Sequence, residues 1–370
     1  MPSHDVLPCI VSWLRISWML ILPEPWALSQ RKIQIVITIV KALPSDEEPV
    51  EPACNYDLIS EIRELADRQG VLILAHNYQA PEIYQIAEKI GDSLELARLA
   101  QETDAETILF CGVDFMADTA KILNPQARVL IPDPQARCTM AHMAGEQAAI
   151  DLREQYPDAE VVSYVNTTTA TKAVSDICCT SANAIEIVDS VDSEQVIFLP
   201  DRNLAAYVSR FTRKEIIPAA GYCYVHDAIT RESVDAMQKL HPGAVFVAHP
   251  ECRPEIIDMA DAVCSTGGMA RFCRDASVSS FIIGTESGML HRLRSEVAEK
   301  KFFSVAGICA PMKQITLEKI KACLTTGSGE VVLDKSLMDA ARVPLERMIE
   351  VSKTRQSRSF RTREEIRKGL

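Results

Sequence analysis

The chain has 370 residues, more than a single hydrophobic core usually serves, so two or three packed units are expected. Apolar residues make up 47% of it and charged residues 24%, with 14 Gly and 19 Pro, a balance that excludes a disordered or collagen-like chain. The formal net charge of −12 argues against sequence-independent nucleic-acid binding, which needs clustered cations to displace phosphate counterions.

Residues 1–55 match nothing downstream and are read as an extension of unknown role, dispensable for folding. Ile10 to Leu22 is apolar apart from its serines and Arg15, but Pro23 and Pro25 follow and the run is too short to span a bilayer. It lacks the basic start and small-residue cleavage site of a secretory signal. After the Pro- and acid-rich stretch Leu43 to Pro52, a helical pattern over Asp57 to Gln69 leads to the strand Val71 to Ala75, which is apolar without alternation, as strands covered on both faces are. The same texture returns at Thr107 to Phe110, Arg128 to Ile131, Glu160 to Val165, Val196 to Leu199, Ala244 to Ala248, Ser280 to Ile283 and Phe302 to Val305. Helix-period segments lie between them: Pro81 to Ile90, Leu94 to Glu102, Met116 to Ile122, Ala182 to Asp189 and Glu255 to Ala260. Strand and helix alternate throughout, which predicts an α/β protein of parallel sheets with right-handed crossovers and ligands beyond the carboxyl ends of the strands. No P-loop and no G-x-G-x-x-G is present, so NTPase and dinucleotide-binding readings lose their main support.

A repeat organises these elements. Tyr164-Val165-Asn166 is answered by His249-Pro250-Glu251, Cys179-Thr180-Ser181 by Cys264-Ser265-Thr266, Pro200-Asp201 by Thr285-Glu286, and Cys223 by Cys309, each about 85 residues on. A third copy stands upstream, with His76-Asn77-Tyr78 leading, Cys111-Gly112 following after a longer insertion, then Pro132-Asp133, and Cys138 closing the unit. Three pseudo-symmetric αβα domains are therefore expected: residues 56–143, completed by the C-terminal segment 313–352, then 144–226 and 227–312. Residues 353–370 form a tail with seven Lys or Arg against Glu364 and Glu365, read as solvated.

Each unit delivers one cysteine at the same stage, so Cys138, Cys223 and Cys309 are candidate ligands of a metal cluster on the pseudo-threefold axis. No C-x-x-C occurs, and this expectation rests on the repeat alone. Three thiolates on a cubane iron–sulfur cluster leave one iron open as a Lewis acid. Cys111, Cys179 and Cys264 end apolar strands and read as packing residues. The other nine of twelve cysteines are spread through a large chain, many in apolar runs, a usage that fits a reducing cytoplasm. The strand-end pairs His76 and Tyr78, Tyr164 and Asn166, and His249 and Glu251 occupy equivalent places and become pocket candidates, with His226 three residues after Cys223. Ser93, Ser181, Ser265 and Thr266 precede helical segments, where hydroxyls serve either as N-caps or, beside free amides, as a site for phosphate or carboxylate.

The motifs resemble the quinolinate synthases, the NadA family: AHNYQ from Ala75, GDSLELA from Gly91, CGVDFMADTAKILNP from Cys111, SYVNTTTATKA from Ser163, GYCYVHD from Gly221, HPEC from His249, DMADAVCST from Asp258 and VPLERM from Val343. Together they cover roughly residues 56 to 352. The resemblance implies three α/β domains around a central [4Fe-4S] cluster held by Cys138, Cys223 and Cys309. It also implies condensation of iminoaspartate with dihydroxyacetone phosphate to quinolinate, with loss of phosphate and water, in NAD biosynthesis. It assigns Tyr78, His226 and Glu251 to catalysis and His76, Ser93, Tyr164, Asn166, Ser181, His249, Ser265 and Thr266 to substrate binding. Transient contact with L-aspartate oxidase or aspartate dehydrogenase is an expectation of the same kind. Some members gather the third cysteine in a C-x-x-C-x-x-C run; here Cys309 stands alone. A non-enzymatic iron–sulfur sensor and a diphthamide-synthesis-like radical enzyme are the alternatives, the first needing the cysteines without the polar set, the second matching these motifs poorly.

Overall fold

The computed structural model describes residues 56–354 and 360–369; the extension and part of the basic tail lie outside the described residues. Three sheets carry the chain. The first holds β1 (Val71–His76), β2 (Lys89–Gly91), β3 (Thr107–Cys111) and β4 (Arg128–Leu130), the second β5 (Glu160–Tyr164), β6 (Ile177–Cys179), β7 (Gln195–Leu199) and β8 (Glu215–Pro218). The third holds β9 (Val245–Ala248), β10 (Ala262–Cys264), β11 (Ser280–Gly284) and β12 (Lys301–Ser304), with β13 (Phe360–Thr362) added at one edge. In chain order within each unit the spatial sequence is second, first, third, fourth, and these pairings are parallel throughout. Side chains of the central strands are covered on both faces: Ile73, Leu74, Val161, Val162, Phe246 and Val247 are all fully buried. That explains why these runs are apolar without alternation.

The helices follow from local chemistry. Tyr56–Gln69 buries Leu58, Ile59, Ile62 and Ala66, spaced three and four apart on one face. Ser93–Glu102 starts at a capping box, in which the Asp92 carboxylate accepts the amides of Leu94 and Glu95 while the Glu95 side chain accepts the amide of Asp92. The same segment corrects the helix expected over Pro81 to Ile90. Only Pro81–Tyr84 is helical, and Lys89–Gly91 pairs with β1 as β2. Three residues are too few for a period to register, and the ladder to β1 decides their conformation.

The repeat is tighter than its landmarks implied. The first and third strands of the units begin at 71 and 107, 160 and 195, and 245 and 280, so the first unit carries no longer insertion. Gly91, Cys179 and Cys264 end the second strands, and Cys111, Leu199 and Gly284 end the third. Counted from those strand ends, the segment equivalent to Pro200-Asp201 and Thr285-Glu286 is Gly112-Val113, and the nearest carboxylate is Asp114 one residue later, not Asp133, whose match to Pro200-Asp201 is a coincidence of dipeptides.

Two C-terminal segments pack differently from each other. Leu317–Thr326 lies against Tyr56–Gln69, and residues 329–331 bond to the edge of β4. Lys335–Thr354 instead runs along Asp114–Leu123, Thr169–Ala173 and β6, with Arg342 bonded to the Ile122 carbonyl and Arg347 to the Asp176 carbonyl. The described part of the tail is not merely solvated. β13 pairs antiparallel with β10, Phe360 packs edge-on against Phe272, Ile366 is buried, and Arg363 bonds to the carbonyls of Met259 and Ala260. Arg363 also pairs with Asp261 at 2.9 Å and Arg361 lies over the Phe211 ring, so two of the tail's charges are engaged by the body of the protein.

Candidate active site

The strand ends of all three sheets converge on one cavity. His76, Tyr78 and Ser93 reach it from the first unit, Tyr164, Asn166 and Ser181 from the second, and His249, Glu251 and Thr266 from the third. His226 joins them, and so do Cys138, Cys223 and Cys309. Ser265 does not line it. Its hydroxyl accepts the amide of Gly268 and caps the helix Thr266–Asp275, so of the two adjacent hydroxyls only Thr266 faces the cavity.

Two histidines have their tautomer set by the turn that follows their strand. The amide of Tyr78 donates to Nδ1 of His76 at 3.2 Å, and the amide of Glu251 donates to Nδ1 of His249 at 3.3 Å. Nδ1 is thus an acceptor in both rings, and Nε2 carries the proton. Burial, with Lys313 and Arg292 beside it, lowers His76 to about 3; burial likewise lowers His249 to about 3 against the pull of Glu251. Both are neutral N–H donors at physiological pH.

A chain of buried contacts links the polar residues. The Tyr164 hydroxyl donates to Oε1 of Glu251 at 2.6 Å, and Oε2 of Glu251 lies 2.9 Å from Nδ1 of His226, whose N–H points off the line of a hydrogen bond. Nε2 of His226 is 2.8 Å from Oγ1 of Thr285, which is 2.6 Å from the Tyr78 hydroxyl. Burial opposes ionisation of Glu251, but the facing His226 and His249 and the bond from Tyr164 outweigh it and hold the carboxyl well below its usual range. An ionised carboxylate only accepts. A proton on Nδ1 of His226, facing the carboxylate, leaves Nε2 to accept from Thr285 and Thr285 to accept from Tyr78. Burial and the Glu251 charge push both tyrosines well above their ordinary value, so they remain O–H donors.

Two helices also begin at the cavity. Ser93 and Thr266 are the first residues of Ser93–Glu102 and Thr266–Asp275, and Nδ2 of Asn77 donates to Oγ1 of Thr266 at 2.9 Å. A Cβ on Gly267 would stand 2.7 Å from the Asp92 carboxylate, so only glycine lets the two helix starts approach this closely. Oδ1 of Asn166 is buried on the cavity wall without a hydrogen-bond partner in the protein and is available to a donor on a ligand. The wall combines helix N-termini, hydroxyls and two imidazole N–H groups, an arrangement suited to anions.

A model of the family described as quinolinate synthetase A protein matches residues 60–350. The chain belongs to this quinolinate synthase family. Curated quinolinate synthases similar to it include that of Methanoregula boonei, 47% identical over 294 residues covering 79% of this chain and 97% of the relative. That of Pyrococcus horikoshii is 46% identical over 301 residues, covering 80% and 100%. The quinolinate synthase 1 of Methanosarcina acetivorans is 45% identical over 297 residues, covering 80% and 98%. Membership in the quinolinate synthase family favours an enzyme and gives no support to a sensor or a diphthamide-type radical enzyme.

The [4Fe-4S] cluster expected from the quinolinate synthase resemblance can be tested against the donor set. Cys138, Cys223 and Cys309 are free thiols on the wall of one cavity, one from each unit, and the ten described cysteines form no disulfide. The other seven are buried away from that wall. Burial pushes the Cys138 thiol up to about 12 and raises Cys223 and Cys309 as well, so the pocket alone does not ionise them and a bound metal has to. Three soft ligands without a fourth fit a cluster with one open iron.

Several site residues were not read from the sequence. Thr285 bridges Tyr78 and His226; Asn77 holds Thr266; Lys313 pairs with Glu286 at 3.2 Å and bonds to the Tyr78 carbonyl. Asp114, Asp201 and Glu286 accept the amides of Cys138, Cys223 and Cys309. Pro200-Asp201 and Thr285-Glu286 were visible as marks of the repeat, and that periodicity was the signal for chemistry at those positions.

Proposed function

We propose that this chain condenses iminoaspartate with dihydroxyacetone phosphate to quinolinate, releasing phosphate and two waters, for NAD biosynthesis. The observation that carries the reading is the convergence, in one cavity, of three free thiols, an anion-binding wall and the contact chain from Tyr78 to Glu251. Cys138, Cys223 and Cys309 would hold a [4Fe-4S] cluster, whose open iron supplies a Lewis acid for a substrate hydroxyl or carboxylate. His76 and His249 donate from Nε2 to carboxylate oxygens. Ser93, Ser181, Thr266 and the helix starts behind them hold the remaining carboxylate and the phosphate, and Asn166 accepts from the imine or a hydroxyl.

Forming a carbon–carbon and a carbon–nitrogen bond with loss of two waters requires protons to leave carbon and nitrogen and reach departing oxygens. The contact chain gives them a route. A proton taken up at the Tyr78 oxygen moves that phenol's own proton to Thr285 and the Thr285 proton to Nε2 of His226, so no free phenolate forms. The Glu251 carboxylate stabilises the resulting imidazolium, and Tyr164 holds Glu251 in place. The return path delivers the proton to a leaving hydroxyl. Burial of Thr285, His226, Glu251 and Tyr164 limits the water that would hydrolyse the imine.

No helix among the described residues is long and apolar enough to cross a membrane, and the free buried thiols fit a cytoplasmic site of action. Iminoaspartate would come from a neighbouring amino-acid-oxidising enzyme, an L-aspartate oxidase or dehydrogenase. The test is quinolinate formation from enzymatically generated iminoaspartate and dihydroxyacetone phosphate by anaerobically prepared protein, with Cys223→Ala as the control. Iron-loaded protein that makes no quinolinate overturns the reading.

A further inference from the structure

Each of the three units places a carboxylate against its cysteine loop. Asp114, Asp201 and Glu286 follow the ends of β3, β7 and β11, and each accepts the backbone amide of its own unit's cavity cysteine: Cys138 to Oδ1 of Asp114 at 3.1 Å, Cys223 to Oδ2 of Asp201 at 3.2 Å, and Cys309 to Oε1 of Glu286 at 3.0 Å. We propose that these three carboxyl groups are positioning residues for the cluster, each fixing the loop that presents one thiolate, with Asp114 and Glu286 adding negative charge beside it. The inference rests on the cluster reading above.

Each cysteine lies in an irregular loop or at its edge, and a thiolate on such a loop gains little from a rigid scaffold unless its backbone is tied down. The carboxylates are themselves tied. Asp201 accepts the amides of Asn203 and Leu204 through Oδ1, Glu286 accepts the amide of Gly288 through Oε2 and pairs with Lys313, and Asp114 pairs with His142 at 2.9 Å. Asp201 and Glu286 are fully buried. Packing alone does not require a carboxylate beside the cysteine loop in all three units, two of them fully buried, since an apolar residue there would spare the desolvation.

Asp114→Ala and Glu286→Ala remove the acceptor, whereas Asp114→Asn and Glu286→Gln keep an oxygen of the same shape without its charge. In anaerobically reconstituted protein, the alanine variants should lose iron to a ferrous chelator about 10- to 100-fold faster than the unchanged protein, the range for residues that orient metal ligands. The amide variants should retain iron nearly as well yet show a higher reduction potential, which a purely structural role would not produce. Equal chelation rates and equal potentials in all four variants overturn the proposal while leaving the cluster reading intact. If the alanine variants do not fold, unchanged potentials in the amide pair overturn it by themselves. Failure of the unchanged protein to take up iron removes the cluster reading and the proposal with it.

Discussion

The Tyr164 hydroxyl reaches 2.6 Å across to Oε1 of Glu251, joining the end of the second unit's first strand to the turn after the third unit's. Tyr164 corresponds in the repeat to His249, and Glu251 to Asn166, so the bond joins two different positions of neighbouring units and orients a carboxylate on the cavity wall. Four expectations follow from this geometry.

Glu251→Gln keeps the shape but removes the charge that stabilises a protonated His226. Turnover should fall about a hundredfold or more, the range for a lost acid–base group, with iron content and substrate affinity little changed. Steady-state quinolinate formation and an iron assay on the same preparation measure both. Loss of iron in this variant would make Glu251 structural instead.

Thr285→Val is isosteric and breaks only the link between Tyr78 and His226. Its kcat should drop roughly tenfold to a hundredfold with KM nearly constant, and Thr285→Ser should restore most of the rate because the hydroxyl returns. Wild-type kcat in Thr285→Val would show that protons do not pass through this residue.

Replacing Cys138, Cys223 or Cys309 by Ala should abolish the visible absorbance and iron of anaerobic protein, because thiolates are the strong ligands available on the cavity wall. Cys111→Ala, Cys252→Ala and Cys264→Ala should retain both. These three are at most 2% exposed and lie within the packed interior, at a stability cost of about 1 kcal/mol each for the lost packing. Iron retained in Cys223→Ala is the outcome that removes the threefold ligation.

His76 and His249 titrate near 3 in the folded chain against 6.5 as free side chains. Above pH 6.5 neither state binds these protons and the histidines leave stability unchanged. As pH falls below 6.5 the unfolded chain takes protons the folded one refuses, so stability declines by about 1.4 kcal/mol per pH unit per histidine. Urea unfolding of anaerobic protein at pH 7 and pH 5 should therefore show a loss that is smaller in His249→Asn by about 2 kcal/mol. Identical losses in the two proteins would mean that His249 is protonated in the folded state.

Much of the site was legible because the repeat made it so. His76, Tyr164 and His249 each end or immediately follow the first strand of their unit, and Ser93 and Thr266 each follow the second, so period and strand texture were enough to select them. The two-residue ambiguity at Ser265 and Thr266 was not resolvable that way. Either hydroxyl could cap the helix, and the backbone angle at the helix start decided that Ser265 does.

The amino-acid order by itself determined the α/β alternation, the threefold unit and the three cavity cysteines, because these depend on local periodicity and on residue type at equal intervals. Only the tertiary structure decided that β2 is a strand, that Thr285 stands between Tyr78 and His226, that Asp114 rather than Asp133 is the partner of Asp201 and Glu286, and that the tail supplies β13. Those outcomes depend on contacts between residues as far as 207 apart, as with Tyr78 and Thr285, and on which hydrogen-bond donor finds a buried acceptor. Such pairings are selected by the cost of leaving a polar group unsatisfied inside the fold, a quantity that exists only once the chain has closed around it.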